Sequence, residues 1–275
     1  MSISVLILTL NEEINLPACL ASVKWCDDIV VFDSYSSDRT MEIAKTAGAR
    51  VVQRAFDNYA AQRNAALEVP YKHPWLLMVD ADEQLTLGLI NEIQTKLGQD
   101  DSGISLYRMR RKDMFMGRWI RHSSGYPTWF GRLMRVGHVH VERSINEEYH
   151  TDGGIDFLQE HLLHYPFNKG FSSWIEKHNR YSTMEAELFE ERSDADESIG
   201  NLFSRDQVVR RRAIKSLVYR LPGRPLLVFL ALFVLRGGFL EGRAGFTYCV
   251  LKSFYEFLIN CKVTENRLRR QGRPL

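Results

Sequence analysis

Two carboxylates separated by one residue are the first candidates for chemistry in this chain. Asp80 and Asp82 flank Ala81 and are followed by Glu83, directly after the apolar run Trp75–Val79. An uninterrupted apolar run of this length is typical of a strand that is buried on both faces of a sheet. Residues two apart in an extended chain point the same way, so Asp80 and Asp82 repel each other unless a cation lies between them. Because Mg²⁺ binds carboxylates, water and phosphates, the pattern predicts a metal–diphosphate site, although an acidic loop after a core strand has the same spacing.

Strands and helices must alternate upstream of these acids to position them. Three polar clusters, Thr9–Glu12, Asp33–Asp38 and Asp80–Glu83, each follow a predicted strand. Four successive strand–helix alternations predict a parallel sheet with right-handed crossovers, so the clusters must meet at one edge, where open α/β sheets bind ligands. Asn11 is a candidate N-cap for the first helix, and Ser37 or Asp38 for the second. Strands are predicted at 3–9, 29–32, 50–53 and 75–79, and helices at 14–23, 40–47 and 57–68.

Composition excludes several classes of protein. The 275 residues are 45% apolar and 25% charged, as in ordinary globular proteins. The net charge of +2 argues against a general nucleic-acid binder. Glycine-rich loops of the GxGxxG or GxxxxGK type are absent, which disfavours dinucleotide and P-loop sites. Four cysteines without a CxxC pair, and a first strand in place of a secretory signal, predict reduced thiols and a cytoplasmic location.

The middle of the chain is rich in arginine, aromatic residues and histidine. Residues 106–150 combine cations with flat rings, a mixture that suits phosphate contacts and stacking on sugars. A solvated antiparallel meander would show the same alternation. Trp129 and Arg132 are candidates for contact with an acceptor, although a packed tryptophan is the simpler interpretation. His164 is a possible third metal ligand or a structural histidine. A helix is predicted at 86–97, a strand at 103–109 and a long helix at 171–192.

The last seventy residues combine a basic block with apolar segments. Residues 205–224 carry seven bases and one acid, whereas 183–197 carry seven acids and one base. The apolar run at 225–235 is too short to span a bilayer, and a second apolar stretch at 244–261 contains Lys252 and Glu256. This arrangement predicts a monotopic contact with an anionic membrane surface through 205–261. A helical hairpin that packs on the rest of the protein or forms a homo-oligomer is the alternative.

Four ordered clusters of residues resemble a known enzyme family. They are Thr9-Leu10-Asn11-Glu12, Asp33 to Thr40, Gln62-Arg63-Asn64 and Asp80-Ala81-Asp82-Glu83. Their order resembles the GT-A glycosyltransferases of family 2, and more narrowly the lipopolysaccharide core β-glucosyltransferases and related surface-polysaccharide transferases. The resemblance covers residues 3 to about 166.

The resemblance implies an α/β fold with a Rossmann-like, mostly parallel central sheet, flanking helices and a C-terminal helical membrane-associating appendage. The implied catalytic GT-A domain is 1–168, with a nucleotide-sugar half at about 1–100 and an acceptor half at about 101–168. A helix and linker follow at 169–204, and the membrane-associating region at 205–275. The implied location is the inner face of the bacterial cytoplasmic membrane.

The resemblance also assigns roles to residues. A divalent metal, Mg²⁺ or Mn²⁺, is implied at Asp82 and Asp80, with His164 as the possible further ligand. The catalytic base is implied at Glu147, because this residue lies six before Gly153 and the downstream Leu163-His164-Tyr165 is kept; Glu148 is the alternative. The nucleotide-sugar residues are Thr9, Leu10, Asn11, Glu12, Asp33, Arg63, Asp80, Ala81 and Asp82.

The implied reaction is a single displacement at a sugar anomeric carbon. A carboxylate takes the proton of an acceptor hydroxyl as its oxygen attacks, and a nucleoside diphosphate departs. One base and one step invert the configuration, so an α-linked donor, expected to be a UDP-hexose, gives a β-glycoside. The acceptor is expected to be a lipid-linked glycan, a lipopolysaccharide or an exopolysaccharide. The rivals are a nucleotidyl- or sugar-phosphate transferase on the same fold, and a sugar- or membrane-binding module without activity.

Overall fold

The computed structural model describes residues 2–99, 103–142, 148–193 and 223–275 and has a nine-stranded, mostly parallel sheet at its centre. The strand order is β3-β2-β1-β4-β8-β6-β11-β5, with β7 paired to β6. A separate two-stranded sheet joins β9 and β10. The strands are β1 Ile3–Thr9, β2 Ile29–Asp33, β3 Arg50–Gln53, β4 Trp75–Asp80, β5 Glu83–Leu85, β6 Ile104–Phe115, β7 Arg118–Trp119, β8 Trp129–Arg135, β9 Val139–Glu142, β10 Glu148–Thr151 and β11 Gly154–His164.

The first four strands pair in parallel, as the sequence predicts. The rest of the sheet is mixed: β8 runs antiparallel to β4 and β6, β11 is parallel to β6, and β5 is antiparallel to β11. This confirms the α/β prediction with a mostly parallel sheet. The helices are α1 Leu16–Val23, α2 Thr40–Thr46, α3 Tyr59–Leu67, α4 Leu87–Gly98, α5 Gly170–Ser193, α6 Arg224–Leu230 and α7 Gly242–Arg270.

Both faces of the central strands are covered. Val5 and Ile7 of β1 are fully buried in a cluster with residues of α1 and α4, while Leu6, between them, lies in a second cluster with Met78 and Ala66. This alternation follows from the two-residue period of a strand. It explains why each strand is a continuous apolar run, because the side chains on both of its faces are buried in a hydrophobic cluster.

The chain divides into two compact units. Unit 1 is Met1–Trp119 with Gly125–Lys169, and unit 2 is Ile120–Ser124 with Gly170–Leu275. In unit 2 the carboxylate of Glu241 accepts hydrogen bonds from the His122 backbone N–H and the Ser123 hydroxyl, both at 2.6 Å.

Unit 2 is built on packed helices. Both α5 and α6 pack against α7. On α5, Trp174 and His178 stack with their ring centroids 3.6 Å apart, and His178 meets Tyr255 of α7 edge-on. These side chains therefore belong to the helix interface, as their spacing indicates.

The predicted basic block falls mostly on residues 205–222, which lie outside the described residues. Arg224, its last member, is buried and forms an ion pair with Glu256 of α7. The prediction that the basic block contacts lipid is therefore wrong for Arg224, because a buried cation that is neutralised by a carboxylate is not available to lipid headgroups.

Large apolar side chains are exposed along the segment that follows Arg224. A π-helical turn at Ala231–Leu235 and a 3₁₀ turn at Gly238–Glu241 connect α6 to α7. In the described part of the chain no single helix has the length and apolar content to cross a membrane, whereas Arg224–Leu235 and Gly238–Arg270, bent by 72°, meet that criterion together. The exposed residues are Leu226, Leu227, Leu230, Val234, Leu235, Phe239, Leu240, Phe246, Val250, Phe254 and Phe257.

Candidate active site

The carboxyl ends of β1, β2 and β4 bring the three polar clusters to one edge of the sheet. The parallel register sets Thr9 opposite Asp33 and Leu8 opposite Asp80. Parallel strands that end together place the loops that follow them on the same side. The loops after Thr9, Asp33 and Asp80 are therefore neighbours, as predicted from the strand pattern.

Asp33 is a fully buried carboxylate surrounded by donors. It accepts hydrogen bonds from the Thr9 hydroxyl at 2.9 Å, the Ser36 backbone N–H at 2.9 Å and the Gln53 side-chain amide at 3.1 Å. Buried ionised groups need such partners. The donors fix Asp33 at the carboxyl end of β2.

Asn11 connects the loops after β1 and β2. Its backbone has a positive φ of 55°, a conformation that asparagine tolerates better than most residues. Its side-chain oxygen accepts the Ser37 N–H at 2.8 Å, and its own N–H donates to the Ser36 hydroxyl at 2.7 Å. The predicted N-cap role of Asn11 is wrong, because the helix begins later, at Leu16, and Asn15 occupies the N-cap position.

Glu12 is paired with a lysine from the other end of unit 1. Lys169 Nζ lies 2.6 Å from Glu12 Oε1 and 2.9 Å from the Asn11 carbonyl oxygen. Burial raises the pKa of Glu12, and Lys169 only partly offsets the effect. Because Lys169 Nζ also lies 3.4 Å from the Leu10 carbonyl oxygen, it holds the backbone of the loop after β1. The side chain of Leu10 is exposed.

Both carboxylate oxygens of Asp80 are engaged by arginines. Asp80 Oδ1 lies 3.1 Å from Arg63 Nη2, and Oδ2 lies 2.5 Å from Arg132 Nη2. Burial opposes ionisation of Asp80, but Arg132 and Arg63 outweigh it and hold the pKa of Asp80 well below its ordinary value. Guanidinium groups therefore neutralise Asp80 in this arrangement, and the binding of one cation by Asp80 and Asp82 stays a prediction.

A β-bulge places Arg132 at this position. Tyr107 of β6 pairs with Leu133, but the next residue, Arg108, pairs with Gly131, so Arg132 is the extra residue of β8. Bulges near active sites redirect side chains in this way. Arg132 is only 3% exposed and reaches both Asp80 and Glu83. Arg132 is thus directed toward carboxylates, and its contact with an acceptor stays a prediction.

Asp82 faces a histidine that arrives from β11. Asp82 Oδ2 lies 3.3 Å from His164 Nε2, and His164 Nδ1 lies 2.7 Å from Asp113 Oδ1 on β6. The Tyr165 N–H also donates to the Asp82 carbonyl oxygen at 2.9 Å. Burial and Arg111 lower the pKa of His164, but Asp82 and Asp113 outweigh them, so the pKa is raised overall.

Asp82 and His164 fit a divalent cation. Carboxylate oxygen and imidazole nitrogen both ligate Mn²⁺-type ions. Two ligands at about 2.1 Å from one ion, set at a right angle, lie about 3 Å apart, close to the observed Asp82–His164 separation of 3.3 Å. Asp113 matches the carboxylate that commonly orients a metal-bound histidine. Within the described ranges no three His, Cys, Asp or Glu side chains could enclose an ion.

The other predicted site residues have varied surroundings. Ala81 is buried in the core. Glu147 lies outside the described residues, whereas Glu148 is exposed at the start of β10. Trp129 packs edge-on against Phe157 with centroids 4.9 Å apart. Because Glu147 is not described, the choice between Glu147 and Glu148 as the catalytic base stays a prediction.

Sequence reasoning did not predict the pairing of three residues that organise the edge. Lys169, Asp113 and Arg111 pair with Glu12, His164 and Glu83 respectively. Arg111 and Asp113 alternate with Arg110 and Lys112 on β6, and this two-residue alternation was the available signal. Lys169 had no such signal, because its partner is more than 150 positions away.

Comparison with known protein families identifies the family of this chain. Residues 4–157 match the model of glycosyl transferase family 2. The chain belongs to this family. The match confirms the glycosyltransferase assignment and the GT-A type of α/β fold. It includes Asp33, Asp80 and Asp82 but ends before His164 and Lys169.

Relatives of this family 2 transferase align along most of its length. The lipopolysaccharide core biosynthesis glycosyltransferase LpsC of Rhizobium meliloti is 27% identical over 95% of this chain and 91% of its own. An uncharacterized glycosyltransferase of Rickettsia prowazekii is 26% identical over 98% of this chain and 89% of its own. Among solved structures, glucosyl-3-phosphoglycerate synthase from Mycobacterium tuberculosis, in complex with Mn²⁺, UDP-glucose and phosphoglyceric acid, is 22% identical, with a TM-score of 0.36 over 40% of this chain and 44% of that chain.

Proposed function

We propose that this family 2 glycosyltransferase moves a sugar from a nucleoside-diphosphate sugar to a glycan hydroxyl with the help of a divalent metal. The observation that carries the proposal is the Asp82–His164 pair, oriented by Asp113, at the edge where Asp33 and Asp80 also lie. A site for a cation and its diphosphate thus adjoins the loops suited to a nucleoside.

The nucleoside is held by the loops after β1 and β2. Thr9 and Asp33 lie where β1 and β2 end, and Asn11 and Glu12 of the loop after β1 are held by Ser37 and Lys169. Leu10 is exposed beside them. Arg63 positions Asp80, because Arg63 Nη2 lies 3.1 Å from Asp80 Oδ1. The expected donor is a UDP-hexose, as the family resemblance implies.

Transfer requires charge neutralisation at the diphosphate and removal of one proton. Asp82 and His164 would hold a Mg²⁺ or Mn²⁺ ion, which when bound would offset the negative charge that develops on the departing nucleoside diphosphate. Glu147, or Glu148 in its place, accepts the acceptor hydroxyl proton as the oxygen forms the new bond to the anomeric carbon. The bond from that carbon to the diphosphate oxygen breaks, and its electron pair leaves with the diphosphate. One displacement inverts the configuration and gives a β-glycoside.

The acceptor is a lipopolysaccharide or another lipid-linked or exported glycan. The likeness to LpsC, which is named for lipopolysaccharide core biosynthesis, supports this class. Such acceptors are membrane-bound, which agrees with the exposed apolar side chains of α6, α7 and the turns between them. We therefore place the enzyme at the inner face of the bacterial cytoplasmic membrane, with unit 2 in contact with anionic lipid.

A product assay tests the transfer. Incubation of a UDP-hexose with a lipopolysaccharide acceptor and Mn²⁺ should release UDP and form a β-glycoside. Asp82→Asn should lower turnover by about 100-fold or more, because the metal loses its carboxylate, while exposed Asp152→Asn should retain it. Release of pyrophosphate or a nucleoside monophosphate would instead identify the rival nucleotidyl- or sugar-phosphate transferase. Full metal-dependent turnover by Asp82→Asn would refute the metal site.

Co-sedimentation with vesicles tests the membrane contact. The protein should bind vesicles rich in phosphatidylglycerol, and Leu226→Asp with Leu235→Asp should weaken binding, because these side chains are 62% and 83% exposed. If the same double variant instead converts a dimer to a monomer without changing vesicle binding, the apolar face joins two copies of the chain.

A further inference from the structure

Three consecutive residues of α3 reach three different parts of unit 1. Gln62 Nε2 donates to the Ser34 hydroxyl at 2.9 Å, in the loop after β2, and Arg63 Nη2 lies 3.1 Å from Asp80 Oδ1. Successive residues of a helix are rotated by about 100° from one another, so the third residue, Asn64, faces another direction. Its side-chain amide meets strand β9. Gln62 and Arg63 therefore hold the ends of β2 and β4, whereas Asn64 holds a different element.

Asn64 binds both backbone groups of one residue of β9. Its Nδ2 donates to the Val141 carbonyl oxygen at 2.8 Å, and its Oδ1 accepts the Val141 N–H at 2.8 Å. Strands β9 and β10 form a two-stranded sheet, and the outer side of such a strand has no strand to pair with. The amide of Asn64 thus takes the place of a third strand. Because Val141 is only 3% exposed, loss of this amide would leave buried backbone groups without their partner.

Tyr149 connects the same hairpin to strand β4. It lies opposite Val141 on β10 and packs against Gly131, where an added Cβ would lie 3.1 Å from Tyr149 Cγ. Its hydroxyl lies 3.6 Å from Met78 Sδ. Met78 and Asp80 are two residues apart on β4, so they share a face and lie about 7 Å apart along the strand. The β9–β10 hairpin is therefore in contact with the strand that ends at Asp80.

The residues that hold this hairpin are sequence neighbours of the arginines that hold Asp80. Asn64 follows Arg63 on α3, and Gly131 precedes Arg132 on β8. Arg63 and Arg132 each contact one carboxylate oxygen of Asp80, at 3.1 and 2.5 Å. The same two elements, α3 and β8, thus set both the position of the hairpin and the position of Asp80.

The hairpin carries the two candidates for the base. Glu148 is the first residue of β10, and Glu147 precedes it in the sequence, outside the described residues. We propose that Asn64 is a positioning residue, which holds β9 and thereby places the base of the hairpin relative to Asp80. This inference rests on the proposed function, because Glu147 or Glu148 acts as a base only if the protein transfers a sugar.

Hydrogen exchange at the Val141 amide, followed by NMR in the full-length protein, tests the contact without requiring turnover. Asn64→Ala removes the acceptor of this N–H, so the amide should exchange at least about 10-fold faster. Asn91→Asp, at an exposed position on α4, is the matched control for an asparagine substitution and should leave the exchange rate unchanged. Circular dichroism confirms that each variant is folded.

Turnover should fall while donor binding is retained. Asn64→Ala should lower kcat by about 10-fold or more, because a small displacement of a catalytic group costs a large factor in rate. Asn64→Asp is a second variant of the original size that cannot donate to the Val141 carbonyl oxygen, and it should show the same loss. The affinity for UDP-glucose with Mn²⁺, measured by calorimetry, should stay within about 2-fold of the parent value, since no donor contact is removed.

A double-mutant cycle separates positioning of the base from a general weakening of the fold. The background is Glu147→Gln or Glu148→Gln, whichever removes base catalysis. In that background Asn64→Ala should have little further effect on kcat, because the group that it positions no longer accepts the proton. A purely structural role of Asn64 would instead lower kcat by the same factor in both backgrounds.

Three results would overturn the proposal: unchanged exchange at Val141 in Asn64→Ala, loss of UDP-glucose binding in step with turnover, or an equal effect of Asn64→Ala in both backgrounds of the cycle. The second result would assign Asn64 to donor binding. If the parent protein releases no UDP with any acceptor, the proposed function fails, whereas exchange at Val141 still decides whether Asn64 holds the hairpin.

Discussion

Arg132 and Glu83 form a buried ion pair beside the carboxylate of Asp80. Arg132 Nη2 lies 2.7 Å from Glu83 Oε1, with the two side chains 3% and 0% exposed. The same nitrogen lies 2.5 Å from Asp80 Oδ2, and Glu83 accepts the Asp80 N–H at 3.0 Å. Glu83 thus supports the loop of the paired acids, and the position of Asp80 depends on a pair that is itself almost inaccessible to substrates.

Arg132→Met should destabilise the protein strongly. It leaves Glu83 buried without its nearest cation, and the loss of one partner of a buried pair costs about 3–5 kcal/mol. Urea unfolding measures the change. The double variant Arg132→Met with Glu83→Gln should recover much of the loss, because no buried charge is then left unpaired. Equal stability of the single and double variants would contradict this account.

Asp113→Asn should weaken metal binding more than it affects the fold. Asp113 holds His164 Nδ1 at 2.7 Å, and loss of a carboxylate that orients a metal-bound histidine commonly costs 10–100-fold in metal affinity or activity. We expect the Mn²⁺ concentration for half-maximal activity to rise by about 10-fold, with direct Mn²⁺ titration showing the same shift. Exposed Asp152→Asn serves as the control. An unchanged Mn²⁺ requirement would remove Asp113 from the proposed metal site.

Substitution of the two candidate bases should distinguish them. Glu147→Gln should reduce turnover by about 100-fold or more while donor affinity is retained, because an amide cannot accept the acceptor proton. Glu148→Gln should have a small effect. Single-turnover rates and UDP-glucose binding are the measurements, and the reverse pattern would transfer the role to Glu148.

Stability should decline on the acid side through His178. Burial lowers the pKa of His178 to about 4, and its Nδ1–H donates to the Trp174 carbonyl oxygen at 2.8 Å. The unfolded chain takes up this proton near pH 6.5, so the contribution of the neutral imidazole is complete above about 6.5 and is lost as the pH falls toward 4.

Thermal unfolding between pH 7 and pH 4 checks the sign of this effect. The melting temperature should fall less steeply in His178→Phe, which keeps a ring against Trp174. Exposed His140→Gln should follow the parent protein. Parallel curves for the parent and His178→Phe would assign the acid sensitivity to other groups.

The parallel half of the sheet could be predicted because each of its strands is recognisable from its own residues, without knowledge of the strand it pairs with. Val5, Leu6 and Ile7 of β1 are buried on alternate sides, so the run is apolar throughout. Burial on both faces is a property of the sequence itself, and the loops that follow such strands must then meet. The positions of Thr9, Asp33 and Asp80 followed from that pattern alone.

The roles of individual side chains in the mixed half depend on pairing that no local pattern reveals. The bulge at Arg132 depends on how β8 pairs with β6, and this single extra residue directs the arginine to Asp80. Strand β6 extends to Phe115, beyond the predicted end at 109, because its polar residues alternate between two occupied sides. Asn11 is not the N-cap for a similar reason, because its side-chain oxygen accepts the Ser37 backbone N–H and so connects the loops after β1 and β2.

The three-residue strand β5 has a topological consequence. Its antiparallel pairing sets Glu83 opposite His164 and Leu85 opposite Leu162, so the chain closes on itself immediately after the paired acids. Strands β6 and β8, which lie between β4 and β11, supply Asp113 and Arg132 to this closure. Substitutions in the described loops between β6 and β8, away from Asp113 and Arg132, should therefore leave the meeting of Asp82 and His164 intact. We therefore expect the loops of the proposed acceptor half to tolerate change while the edge that holds Asp82 and His164 stays constant.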